Sequence, residues 1–333
     1  MGYNGASFKT VDLRKKVPVL LSSFLIALNA VLPFLVYLGV GYAVRRIGLT
    51  DEPFLERMNK MVFQCFFPFL MFWSLYNVDD GLEIRGSFLP VCVLSLLLLV
   101  GALILAVPRL VKDRPKQPVV IQAAYRSNFV LFGIPMAQSV FGARGAAVAT
   151  LMVAIIVPLY NAIAVILFET WRGGDIKPLQ LLKNIVTNPL ILGALVGLVF
   201  LLLGIKLPAP VETPISAFSA LTTPLALFLL GGTLKFRAIR DNRRYLWPTM
   251  AFKLILLPLI ATLLSSLFGF SDVERFGFLI MAGAPVAIAS FPMAANMGGD
   301  GELAGQFVAL STVASLFTLF GFIVVYHTVG FIA

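Results

Sequence analysis

The sequence predicts an all-α integral membrane fold of ten transmembrane helices, arranged as two inverted five-helix repeats. Three observations carry that prediction. Of 333 residues, 59% are hydrophobic and 13% charged, with 29 Phe and a mean hydropathy of +0.94, which excludes an ordinary water-soluble domain. Apolar runs of the roughly 20 residues needed to cross a bilayer recur along the whole chain. The second half also repeats the first at an offset of 156 to 157 residues, with the helix-breaking residues in register.

The runs centre on 29–46, 58–77, 86–107, 119–140 and 146–169, then on 186–204, 214–234, 246–269, 275–296 and 303–327. They divide the chain into a tail at 1–28, a first repeat at 29–170, a linker at 171–185 and a second repeat at 186–333. Pro33, Gly41, Gly48 and Pro68 recur as Pro189, Gly197, Gly204 and Pro224. Pro135-Met136-Ala137 recurs as Pro292-Met293-Ala294. Proline and glycine are costly inside helices, so their coincidence marks a duplicated backbone. Five spans per copy is an odd number, and the second copy therefore enters the membrane from the opposite side, as in many secondary transporters.

Basic residues set the orientation. Loops after the odd-numbered spans hold sixteen Lys and Arg: Arg45, Arg46, Arg57 and Lys60; Arg109, Lys112, Arg114 and Lys116; Arg172, Lys177 and Lys183; Lys235, Arg237, Arg240, Arg243 and Arg244. Loops after the even spans hold only Arg85, Arg144, Lys206 and Arg275, so these loops and both termini are expected outside the cytoplasm. The net charge of +10 is thereby explained by topology and anionic headgroups rather than by nucleic acid. In the tail, Arg14-Lys15-Lys16 before Val17 to Ala27 resembles a signal peptide, or else an amphipathic extension of the first span, and Met-Gly lacks the acylation pattern. Cys65 and Cys92 fall inside apolar runs and read as packing residues. Neither a disulfide, a metal nor a cofactor is implied.

Chemistry in such a protein concentrates where helices break. Span four contains Gly133-Ile134-Pro135 and span nine Gly283-Ala284-Pro285 and Ser290-Phe291-Pro292, so span four is expected to open near 131–135. Unwound backbone at membrane depth is tolerated only against protein or a watery cavity. If the two breaks meet at the pseudo-twofold axis, their half-helix N-termini face one midplane site suited to an anion. Asn128 lies seven residues before Pro135 and offers an amide that donates and accepts. Gln138, Tyr160, Asn161, Ser290 and Asn296 are further candidates, with interhelical hydrogen bonding as the competing role. Arg126 and Lys253 fall inside spans but near their ends, where long side chains snorkel to the headgroups. Arg126 is the better candidate for a counter-charge. Carboxylates fall in loops or at span ends, with Asp79 and Asp80 the candidates for proton coupling.

Several motifs in order resemble one family. These are Pro33-Phe34, Gly39, Gly41-Tyr42 and Arg45-Arg46-Ile47-Gly48-Leu49; Asn59-Lys60-Met61-Val62-Phe63 leading to Pro68; Asn128 with Gly133-Ile134-Pro135 and Phe141-Gly142; Phe168-Glu169; and Gly298-Gly299-Asp300. They are similar to the auxin efflux carrier family, which includes plant auxin carriers and bacterial malate and malonate permeases. The resemblance implies a fold like that of bile acid sodium symporters and sodium/proton antiporters. Spans 1, 2, 6 and 7 would form a scaffold, and spans 3–5 and 8–10 a transport domain with broken helices 4 and 9 crossing at its centre. Substrate would be framed by Asn128, Gly133, Ile134 and Pro135 with Pro292; the internal repeat favours Pro292 over Pro285 as the second crossover proline. Pairing through the scaffolds into a homodimer is also implied.

The expected function is a secondary transporter in the plasma (inner) membrane, moving a small organic anion, an auxin-like or dicarboxylate acid, by elevator-type alternating access. An anion leaves a negatively polarised cell downhill, by about 2.3 kcal/mol per charge at 100 mV, so efflux needs no coupled ion. Proton- or sodium-coupled symport is the alternative, and a ligand sensor without flux another. An intramembrane enzyme is disfavoured by the lack of a metal cluster, a His pair or an activated nucleophile.

Overall fold

The computed structural model describes residues 28, 32–77, 86–172 and 178–329. The expectations for the tail, for Asp79 and Asp80 and for linker residues 173–177 fall outside the described residues, Leu28 apart. Among the described residues every regular element is helical, and the one β contact is an isolated bridge.

Helix α1 covers 32–46 and ends at Gly48, whose φ of 81° suits a residue without a Cβ. Asp51 caps α2 (Glu52–Met61) by accepting from the Phe54 amide at 2.8 Å. A π turn at Val62–Phe66 carries α2 into α3 (Phe67–Tyr76). Then come α4 (Phe88–Leu110), α5 (Lys116–Tyr125), a second π turn at Phe129–Gly133, and α6 (Ile134–Trp171). After α7 (Pro178–Val186) follow α8 (Pro189–Leu203), α9 (Ala209–Thr233), α10 (Phe236–Asp241) and α11 (Arg243–Ala251). A third π turn at Phe252–Leu256 leads to α12 (Leu257–Leu267), then α13 (Asp272–Gly283), α14 (Ser290–Asn296) and α15 (Gly301–Val329).

Each π turn ends two residues before a proline: Pro68, Pro135 and Pro258. Proline offers no N–H and its ring clashes with the carbonyl four residues back; widening the preceding turn relieves the clash while the helix continues. Pro135 therefore produces a wide turn, not the opening expected at 131–135. The chain opens earlier, where Arg126 (φ −86°, ψ 109°) and Asn128 (φ −79°, ψ 65°) leave helical geometry. In the other half α13 stops at Ala284, whose ψ of 152° is the extended conformation that the following Pro285 demands. Pro285 thus lies in the break itself. Pro292 sits in the first turn of α14, where a missing N–H leaves no helical bond unmade.

Five helical stretches among the described residues are long and apolar enough to cross a membrane: Phe88–Leu110, Ile134–Trp171, Ala209–Thr233, Arg243–Leu267 and Gly301–Tyr326. Pro189–Leu203 is a shorter apolar helix. The 38-residue α6 bends at Gly142 (φ 63°, ψ −148°), a backbone conformation closed to other residues. Exposed Leu98, Leu202, Leu267 and Phe317 form part of an apolar exterior, as a hydrocarbon solvent requires. Cys92 is buried and packs in the core, whereas Cys65 is exposed.

Glycines set the closest helix contacts. A Cβ at Gly197 of α8 would lie 2.7 Å from the Phe72 carbonyl oxygen of α3, and one at Gly193 would collide with the Pro68 backbone. Gly41 of α1 meets the Phe228 backbone of α9 in the same way, and Gly231 of α9 meets Leu38. Two helix pairs, α3 with α8 and α1 with α9, are thereby held in close contact.

Candidate functional site

The two breaks run antiparallel against each other. Ser127 and Val286 form the bridge, the Asn128 amide donates to the Pro285 carbonyl at 2.7 Å, and the Ala287 amide donates to the Arg126 carbonyl at 3.2 Å. Residues that have lost their helical partners thus satisfy one another, which is why residues 126–128 and 285–287 can stay unwound inside an apolar protein. Side chains complete the accounting. Ser127 Oγ and the Tyr160 hydroxyl both donate to the Met281 carbonyl in the last turn of α13, at 2.5 and 3.3 Å. Ser311 Oγ accepts from the Val286 amide at 3.0 Å.

Two cations are buried at this crossing, which corrects their reading as snorkelling residues. Arg126 is 2% exposed and Lys253 1% exposed. Lys253 Nζ donates to Ser127 Oγ at 2.5 Å and to the Tyr125 carbonyl at 3.4 Å, and so places positive charge at the C-terminal end of α5, where the helix dipole is negative. Arg126 donates from Nη2 to Asn161 Oδ1 and from Nη1 to Met293 Sδ at 2.7 Å. Asn161 Nδ2 in turn donates to Met71 Sδ at 2.9 Å. Among the described residues neither cation has a carboxylate within ion-pair distance. Acceptors at depth make snorkelling unnecessary, and a guanidinium held by an amide and a thioether retains unspent donor capacity.

A cavity of about 60 Å³ lies against this crossing. One wall is formed by Arg126, Ser127, Asn128, Phe129, Tyr160 and residues 287–289; the other by Phe67, Met71 and Ser74 of α3 and Thr223 of α9. Among the described residues, Asn128 Nδ2 is buried without a hydrogen-bond partner, as are Ser290 Oγ, one residue beyond the lining Ala289, and Gln122 Oε1.

Of the residues singled out in the sequence, Arg126, Asn128, Tyr160 and Asn161 come together here. Pro292 and Gly133 are buried but do not line the cavity, Ile134 is half-buried, and Pro135 and Gln138 face outward. Asn296 is half-buried and its Nδ2 donates to the Pro292 carbonyl at 2.7 Å. Sequence reasoning missed Ser127, Met71 and Thr223, and gave Lys253 no place at the crossing. A lysine flanked by Phe252 and the run Leu254 to Leu257 was the available signal, since a mid-run charge is costly unless buried with partners.

Broken helices that meet around buried cations are an arrangement found in membrane transporters. The chain belongs to the membrane transport protein family, whose sequence profile matches residues 26–180 and 175–323. It is similar to an uncharacterized transporter of Methanothermobacter thermautotrophicus, 25% identical over 298 residues that cover 89% of this chain and 97% of the relative. An uncharacterized transporter of Methanocaldococcus jannaschii is 25% identical over 307 residues, again 89% of this chain and 97% of the relative. A Rhizobium meliloti protein whose name proposes malonate transport is 24% identical over 300 residues, 87% of this chain and 93% of its own length. The protein is accordingly an integral membrane transporter and not an enzyme.

Proposed function

We propose that this transporter is a secondary carrier of a small organic anion, an auxin-like or dicarboxylate acid, and that the anion binds Arg126 at the crossing. The carrying observation is a guanidinium buried at the cavity wall without a carboxylate partner among the described residues. An anion supplies the missing charge, and Arg presents a planar fork matched to a carboxylate. The unpartnered Asn128 Nδ2 adds a second donor. The malonate proposal attached to the Rhizobium relative is in keeping with this chemistry.

The architecture proposed is two inverted five-helix repeats working as an elevator. Helices α1, α2, α3, α8 and α9 form the scaffold, while α4–α6 and α11–α15 carry the site. Backbone geometry supports the repeat: Gly48 and Gly204, and likewise Gly142 and Gly298, all have positive φ and stand 156 residues apart. The contact of Gly41 with Phe228 is matched at the same offset by that of Gly197 with Phe72. We place the protein in the plasma (inner) membrane with both termini outside the cytoplasm, working as a homodimer joined through its scaffolds.

Efflux follows the membrane potential in this scheme. The loaded domain moves outward with Arg126 neutralised by its anion; the empty domain, carrying uncompensated positive charge, is drawn back toward the negative interior. Each charge contributes about 2.3 kcal/mol per 100 mV. In proteoliposomes loaded with labelled malonate or indole-3-acetate, an inside-negative potassium diffusion potential should accelerate efflux of at least one acid without sodium or a pH gradient. Flux that ignores the potential but requires either gradient would replace efflux by coupled symport, and saturable binding without flux would replace the carrier by a sensor.

A further inference from the structure

A second group of cations lies away from the crossing, between the end of α1, the start of α2 and the end of α9. A cleft of about 370 Å³ is lined there by Tyr42, Arg45, Arg46, Glu52, Thr233 and Lys235. Arg45 Nη1 donates to the Thr50 carbonyl at 3.0 Å, Arg46 Nε to the Tyr42 hydroxyl at 3.1 Å, and Lys235 Nζ to Glu52 Oε1 at 3.0 Å. The hydrogen bond and charge of Lys235 hold the Glu52 carboxyl below its ordinary value, and Glu52 raises the Lys235 ammonium in return. Both remain ionised at neutral pH, so in the cleft lining three cations face one carboxylate, with the Glu302 charge also acting on Lys235.

The surface leading into this cleft is apolar. Leu32, Val36 and Val40 are each about half exposed, at 49%, 52% and 49%. Their spacing of four places them along one face of α1, and exposed Ala43 and Arg46 continue that face into the cleft. An apolar track that ends in a cationic pocket matches an amphiphile, whereas a free anion needs the pocket alone.

We propose that the cleft seats the phosphate headgroup of an anionic phospholipid whose acyl chain lies along Leu32, Val36 and Val40. The loop after α1 belongs to the side that Lys and Arg counts predict to be cytoplasmic, where basic residues attract anionic lipid. Gly41 and Gly231 hold α1 tightly to α9, so one lipid would clamp the ends of both helices, independently of any anion at Arg126.

The test measures thermal unfolding of purified, delipidated protein in micelles doped with phosphatidylglycerol or phosphatidylcholine, for the wild type, Arg45→Gln/Arg46→Gln and a charge-matched control, Lys112→Gln/Arg114→Gln. The readout is the midpoint difference between the two lipids, which is insensitive to any basal loss of stability. We expect phosphatidylglycerol to raise the midpoint by several degrees more than phosphatidylcholine in wild type and control, and this difference to vanish in Arg45→Gln/Arg46→Gln. Equal effects of the two lipids, or a difference retained in that variant, would overturn the proposal. So would an equal rise with inorganic phosphate alone, which would assign a free-anion site.

Discussion

Arg126 rests on acceptors weaker than the carboxylate proposed to replace them. Met293 Sδ is a poor acceptor for a guanidinium, and its contact at 2.7 Å occupies a donor that a substrate would claim. Met293→Leu keeps volume and apolarity but removes the competitor, so malonate should bind several-fold more tightly; Met293→Gln adds a better acceptor and should bind it more weakly. A purely packing role would shift both variants in the same direction. Arg126→Gln should lower affinity by about tenfold to a hundredfold, the worth of a charged hydrogen bond at roughly 1.5–3 kcal/mol. Arg126→Lys should recover only part of this, because a point charge does not reproduce the fork. Isothermal titration of purified variants reads all four. Asn128, Tyr160 and Asn161 were legible in the sequence because polar residues in an apolar run need a reason. The burial of Arg126 was not, because its depth depends on where the helix stops.

Elements were legible wherever composition alone decides, as in the uninterrupted α4 and α15. Breaks were harder to place. Proline suggested an opening at 131–135, but a π turn absorbs Pro135 and the chain parts at 126–128, where no local residue forces it; pairing with residues 285–287 holds those positions extended. Tertiary partners thus decided a feature that local propensity could only bracket. Gly142 was noted for its neighbours rather than its backbone, yet it makes the bend in α6. A Cβ there meets nothing within 4 Å among the described residues, so Gly142→Ala should cost about 1–3 kcal/mol through backbone strain alone. Gly101, mid-helix in α4 with equal space around it, is the contrast: Gly101→Ala should stabilise by about 0.5–1 kcal/mol. Thermal unfolding midpoints of opposite sign would verify the pair, and equal shifts would remove the argument from strain.

At the scale of the whole molecule, the proposed repeat rests on an offset between prolines and glycines that the sequence already displays, whereas the helix contacts that support it needed coordinates. The contacts of Gly41 with Phe228 and Gly197 with Phe72 join elements far apart in sequence. The elevator proposal requires α15 to slide past α9, and Gly305 of α15 packs directly on Leu230 of α9. With Cys65 and Cys92 replaced by Ser and Ala, Leu230→Cys/Gly305→Cys should cross-link with mercuric ion and lose flux, and dithiothreitol should restore it. Cross-linked protein that still transports would show that these helices do not move apart.

The most direct test is a structure of the protein with malonate or another transported acid bound. The proposal predicts a carboxylate within hydrogen-bond distance, about 2.7–2.9 Å, of the Arg126 guanidinium, with the Met293 thioether displaced and Asn128 Nδ2 engaged. A substrate bound elsewhere, with Arg126 still on Met293 and Asn161, would contradict it.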